Sequence, residues 1–299
     1  MMGISINTYS LSFREKSIPD ILSTRLGLTE KQFQKMASKG SASYRWSRSN
    51  VRQLLYLFTD DLQLSSKETI KVLMGYPQLL NYHTSTLQSS VTYFRDEVGL
   101  NARRMITRRP MVLTYSVEQQ LRPTLEFLKK MKSSNWTGWR RMVESYPQVL
   151  QYSVETTWIP KLAFLKTFLQ LERSKDAAHI VSSFPPTLWL RDELLRKKLD
   201  FLETTLQLNK AELRYLVMSF PQLLGLAVDQ NLRPKCQFLL ETMSLEQLRE
   251  FCLYQPSLLA YSLEGRLRPR IERMKDNAIY FGYSPPYLMS LSDEKFQQW

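Results

Sequence analysis

Cysteine and histidine are nearly missing from this chain, with two of each in 299 residues. Cys236 and Cys252 form no Cys-x-x-Cys pair, and His83 and His179 stand far apart, so neither a zinc site nor a disulfide framework is expected. Two buried thiols in a reducing compartment fit better. Glycine is scarce at 9 residues, and there is no Gly-rich phosphate loop, carboxylate pair or nucleophile constellation. Catalysis, a cofactor and a metal are therefore not expected. No apolar run approaches the roughly 18 residues of a membrane span. Low-complexity tracts are lacking, so disorder is expected only at the ends. Acid is short relative to base: 28 Asp and Glu face 41 Lys and Arg, giving a net charge of +13 and a pI near 9.7. That excess favours a polyanionic partner, either nucleic acid or an anionic membrane surface. A basic surface that is merely solvated is the plain alternative. The first 14 residues lack acid and carry one base, Arg14, too sparse a pattern to define a transit peptide.

What the chain does have is a period. A proline followed three residues later by leucine occurs at Pro77/Leu80, Pro110/Leu113, Pro147/Leu150, Pro185/Leu188, Pro221/Leu224 and Pro256/Leu259. The prolines are 33, 37, 38, 36 and 35 residues apart, which marks a stacked helical-repeat array. Counting from each proline, positions −8, −5, −4 and −1 are apolar, as in Trp139, Met142, Val143, Tyr146 and in Leu213, Leu216, Val217, Phe220. That spacing predicts a first helix with one buried stripe, stopped by the proline. The PxxL stretch reads as a 3-10 turn that tucks its leucine into the core. Ser116, Ser153 and Ser262 at +6 read as N-caps of a second helix. Inside it, Pro123, Pro160, Pro234 and Pro269 recur at +13 and predict a kink. Markers such as Leu62-Gln63-Leu64, Val98-Gly99-Leu100, Leu169-Gln170-Leu171 and Leu206-Gln207-Leu208 close the unit. The expected organisation is an all-α, curved α-solenoid: segment 1–20, a degenerate capping repeat at 21–65, repeats over 66–275 and a C-terminal cap at 276–299.

The unit PxLLxYSxExxLRPxxxFL, seen over 110–128, 147–165 and 221–239, resembles the mitochondrial transcription termination factor (mTERF) family. The closing run Leu291 to Phe296 is also similar to that family's tail. The resemblance implies a superhelical solenoid in mitochondria or plastids that binds nucleic acid. Double-stranded DNA bound to regulate transcription, at termination or initiation, is the leading expectation. Structured RNA in ribosome biogenesis is the alternative, and a protein-binding scaffold the second one. A possible protein partner in organelle gene expression and a monomeric state are expected too. Ser90 and Lys198 stand where the second proline is missing, which leaves those two units open to a different bend.

Two basic columns offer themselves to phosphate. Position −7 carries Arg103, Arg140, Arg214 and Arg249, beside Lys71, Arg104 and Arg141 at −6. Positions +12 to +14 carry Arg122, Lys161, Lys197, Lys198, Arg233, Lys235, Arg268 and Arg270. At +12 an acid precedes by four residues (Glu118, Glu193, Asp229, Glu264), the favourable helical ion-pair order. The −7 arginines have such a neighbour only in Glu144, so they rank first as phosphate ligands. Trp136, Trp139, Trp158 and Trp189 offer base stacking against the commoner fate of core packing. No base-reading residue is identified, and both histidines read as surface residues.

Overall fold

The computed structural model describes residues 17–39, 46–131, 136–276 and 290–298, and these are helical with no strand among them. Six copies of one motif follow each other. The first helices are Ser66–Gly75, Ala102–Arg108, Trp136–Ser145, Ser174–Ser183, Lys210–Ser219 and Leu245–Tyr254. Each gives way to a 3-10 turn opened by the repeat proline, and then to a second helix. Residue −1 takes nearly the same backbone conformation every time, with φ −148 and ψ 76 at Tyr76 and φ −134 and ψ 78 at Gln255. The cause is the proline ring, which excludes α geometry from the residue before it. This turn also carries −1 out of the apolar stripe: Tyr146 is exposed, whereas Trp139, Met142 and Val143 are buried. The tucked leucines behave as expected. Leu80, Leu113, Leu150, Leu188, Leu224 and Leu259 are all fully buried.

The second helices differ from a simple kink. Where a proline stands at +13, the turn before it is a π-helix: Val117–Leu121, Val154–Trp158, Val228–Leu232 and Leu263–Leu267. A proline ring collides with the carbonyl four residues back and lacks the N–H that would bond it. Widening the preceding turn relieves both problems, at the cost of one extra residue in the helix. In repeat four, where Lys198 replaces the proline, the helix Asp192–Thr205 is α throughout. In repeat one, with Ser90, it is α over Thr84–Thr92 and turns π only afterwards. Most of the markers between repeats are left-handed helix ends; Met243-Ser244-Leu245 is the exception, with Ser244 extended at φ −66. Gln63, Gln170 and Gln207 have φ of 55, 50 and 47, and Gly27 and Gly99 fill the same slot.

Contacts cluster into two compact units, residues up to Val154 and from Glu155 onward. That division falls inside repeat three, as suits an array in which each repeat touches only its neighbours. In unit one, helices Ile18–Leu26, Glu30–Lys39 and Arg48–Tyr56 precede the repeats. The first begins inside the segment 1–20, because Ser17 and Asp20 form a capping box around Pro19; residues 1–16 lie outside the described residues. In unit two, the last repeat holds the short helix Asp293–Gln297, with Phe296 buried under Arg270. Of the expected C-terminal cap, 277–289 lie outside the described residues. Cys236 and Cys252 are free and buried. Among the described residues, no helix is long and apolar enough to cross a membrane.

Candidate nucleic-acid interface

The −7 arginines are not the unneutralised column that their sequence neighbours imply. Arg103 pairs with Glu68 at 2.9 Å, and Arg249 pairs with Glu212. Each acid is at −9 of the preceding repeat's first helix, which i,i+4 reasoning does not reach. Both acids also close the capping box of their own helix, with Ser65 and Asn209. Hydrogen bonds from Ser65, reinforced by Arg103, hold the Glu68 carboxyl down at about 2. The Asn209 backbone N–H and then Arg249 lower Glu212 in the same way. Arg140 pairs with Glu144 at 3.1 Å, and Arg214 donates to the Gln170 carbonyl at 2.9 Å. The ranking of −7 first therefore loses its premise. Arg103, Arg214 and Arg249 reach back to residues 35–44 positions earlier, whereas Arg140 pairs within its own helix.

The +12 arginines are tied as well. Arg122, Arg233 and Arg268 bond Glu118, Asp229 and Glu264 four residues back, as expected. They also lie over the rings of Tyr93, Phe201 and Phe238 of the preceding repeat, at 4.9, 5.0 and 4.3 Å from the centroids. Lys197 stays exposed.

Lys161, Lys198, Lys235 and Arg270 are a correction. All four are buried, with Lys235 only 3% exposed, so they cannot serve as an outward phosphate track. Lys198 donates to the Leu224 carbonyl and Lys235 to the Leu259 carbonyl, at position +3 of the next 3-10 turn. That carbonyl is left over at the end of the turn and would be orphaned in the core. Lys161 donates to the Leu190 carbonyl and pairs with Asp192, and Arg270 pairs with Asp293. Repeats one to three satisfy +3 with neutral groups. Asn50 Nδ2 donates to the Leu80 carbonyl, Ser90 Oγ to Leu113 and Gln120 Nε2 to Leu150. Lys198 thus corresponds in space to Lys235 at +14, not to the proline at +13. The absent π turn removes the extra residue.

What remains outward is position −6, opposite the buried stripe. Read along the chain it holds Lys71, Arg104 and Arg141 in unit one, then His179, Tyr215 and Glu250 in unit two. Lys71 and Arg141 are exposed and have no ion pair among the described residues; Arg104, also exposed, bonds Ser145 Oγ at 3.1 Å and lies 3.9 Å from the Glu144 carboxylate. Around them stand Lys67 at −10 and Arg108 at −2, both exposed. The three first helices of unit one carry seven basic and two acidic side chains, whereas those of unit two carry four of each. Unit two shows exposed Tyr215 and Tyr254 on this face. The −6 residues stand in the sequence beside −7, and charge neighbours alone do not place them higher. The helical angle from the stripe centre was the available signal.

Trp139 and Trp158 are fully buried and Trp189 is half-buried, so the first two are core; the side chain of Trp136 lies outside the described residues. No group of three or more metal-ligating side chains occurs among the described residues.

The mTERF family model matches residues 21–132, 101–209 and 204–297, nearly the whole described chain. The chain belongs to the mTERF family. That membership agrees with the helical-repeat architecture described above. A relative named transcription termination factor MTERF2, chloroplastic, from Arabidopsis thaliana is 38% identical over 89 residues. The match covers 29% of this chain and 13% of that protein, so it spans well under two thirds of the relative's length.

Proposed function

We propose that this mTERF protein binds double-stranded DNA through the first-helix face of unit one and regulates transcription in an organelle. The carrying observation is the −6 column of Lys71, Arg104 and Arg141: all three are exposed, Lys71 and Arg141 have no ion pair among the described residues, and Arg104 makes only a long 3.9 Å contact with Glu144. Packed helices stand about 8–10 Å apart, so three such residues reach along about 20 Å, or about six base pairs of duplex. Arg103 and Arg140 flank the column and are nearly half exposed. Surface ion pairs are worth only about 0.2–1 kcal/mol, so a phosphate can take these guanidiniums over from Glu68 and Glu144. Contacts of this kind fix position and leave sequence unread. Double-stranded DNA, and transcription as the process, come from the family resemblance and from the relative's name.

The test is fluorescence titration of duplex DNA, single strands and structured RNA across a salt series. Preference for duplex DNA with a steep salt slope is expected. Preference for structured RNA would move the function to ribosome assembly, and equal weak binding with a flat slope would remove nucleic acid as the ligand.

A further inference from the structure

Arg109 occupies position −1 of repeat two, where the other repeats carry Tyr76, Tyr146, Phe184, Phe220 and Gln255. It is the one charged residue in that slot, is half-buried, and has no carboxylate within ion-pair distance among the described residues. Its Nη2 donates to Gln151 Oε1 at 3.3 Å, and its buried Nε–H has no acceptor. Tyr115 shares the same Gln151 oxygen at 3.5 Å. Tyr76 and Tyr115 both lie within electrostatic reach of the guanidinium; the Tyr76 hydroxyl exchanges hydrogen bonds with Thr114 and Tyr82, which a bound phosphate would replace, and Tyr152 flanks Tyr115. Burial, foremost, raises both phenols, so they remain neutral O–H groups at physiological pH. The cluster therefore gathers a cation and hydroxyl donors with no negative group to balance them. A guanidinium withdrawn from water without a counter-charge is unfavourable, and its planar fork matches the oxygens of a phosphate.

We propose that Arg109, with the hydroxyls of Tyr76 and Tyr115, forms a phosphate-binding notch at the 3-10 edge of unit one. The neighbouring Arg108 is exposed and donates to the Ser145 carbonyl at 3.3 Å, which links the notch to the first-helix face. A nucleic-acid backbone as the source of the phosphate rests on the function proposed above. A free phosphate or small phosphate ester does not.

The experiment follows the arginine Nε resonances of the full chain by NMR, with R109K used to assign Arg109. Inorganic phosphate is titrated at an ionic strength held constant with chloride, then duplex DNA and structured RNA are titrated separately. A saturable Arg109 shift with phosphate is expected, weakened about fivefold or more in Y76F/Y115F, which keeps the ring packing. Shifts with both phosphate and nucleic acid, or with nucleic acid alone, support a notch for the backbone. A shift with inorganic phosphate alone, while nucleic acid binds elsewhere, supports a free-phosphate site. If nucleic acid moves Arg104 and Arg141 but neither ligand moves Arg109, the notch is refuted and the proposed function stands. If nucleic acid fails to bind while phosphate still shifts Arg109, the proposed function falls and the notch remains.

Discussion

Gln63, Gln170 and Gln207 each hold a left-handed conformation that glycine takes at Gly27 and Gly99. An L-residue gives up about 1–2 kcal/mol there, partly offset because glycine is more flexible when unfolded. Q170G and Q207G are therefore each expected to raise stability by about 1 kcal/mol in urea denaturation, and G99A to lower it similarly. Lys198 supplies a second residue-scale test. Burial pulls its ammonium from an ordinary 10.5 down to about 8. Between those values the unfolded chain holds a proton that the folded one has released, so this residue's contribution to stability rises with pH. The contribution is complete above 10.5 and lost as pH falls through 8. The stability of wild type relative to K198M should rise by a few kcal/mol from pH 8 to 10.5, with titrating tyrosines and thiols cancelling in the comparison. A flat difference would mean that the ammonium is better solvated than its burial implies. These buried lysines were legible in the sequence as cations but not as core residues. Their acceptors are backbone carbonyls 24–29 residues away, and a carbonyl has no letter of its own.

Among elements, the 3-10 turn is the joint of every repeat, and its leftover +3 carbonyl sets the chemistry of the preceding second helix. Ser90→Ala should strand the Leu113 carbonyl and cost about 1–2 kcal/mol, whereas Leu113→Ala should cost about 2–5 kcal/mol through cavity formation. Equilibrium unfolding of both variants distinguishes a hydrogen-bond role for Ser90 from mere packing. The period, the 3-10 turns and the tucked leucines were readable because proline and buried leucine act locally. The π turns were not, since a proline inside a helix announces a disturbance without saying whether the backbone bends or widens. The match between second proline and π turn in four repeats, and its absence before Ser90 and Lys198, shows that here the preceding turn widens.

For the molecule as a whole, an overall charge of +13 conceals an uneven distribution. The second helices hold most of their cations in ion pairs, ring contacts or buried carbonyl bonds, and the first helices of unit two balance their charges. Only unit one shows an excess on its first helices. Sequence alone favoured the −7 arginines because pairing across repeats joins residues 35–37 positions apart, as in Arg103 with Glu68 and Arg249 with Glu212. The most direct measurement is the salt dependence of duplex-DNA binding for wild type and for K71Q/R104Q/R141Q, beside K161M/K235M as a buried-cation control checked for folding. The triple variant should bind more weakly and lose about three units of slope in log K against log salt, while the folded control keeps the wild-type slope. An unchanged slope in the triple variant, with the loss appearing instead in the control, would contradict the assignment of the −6 column as the phosphate track.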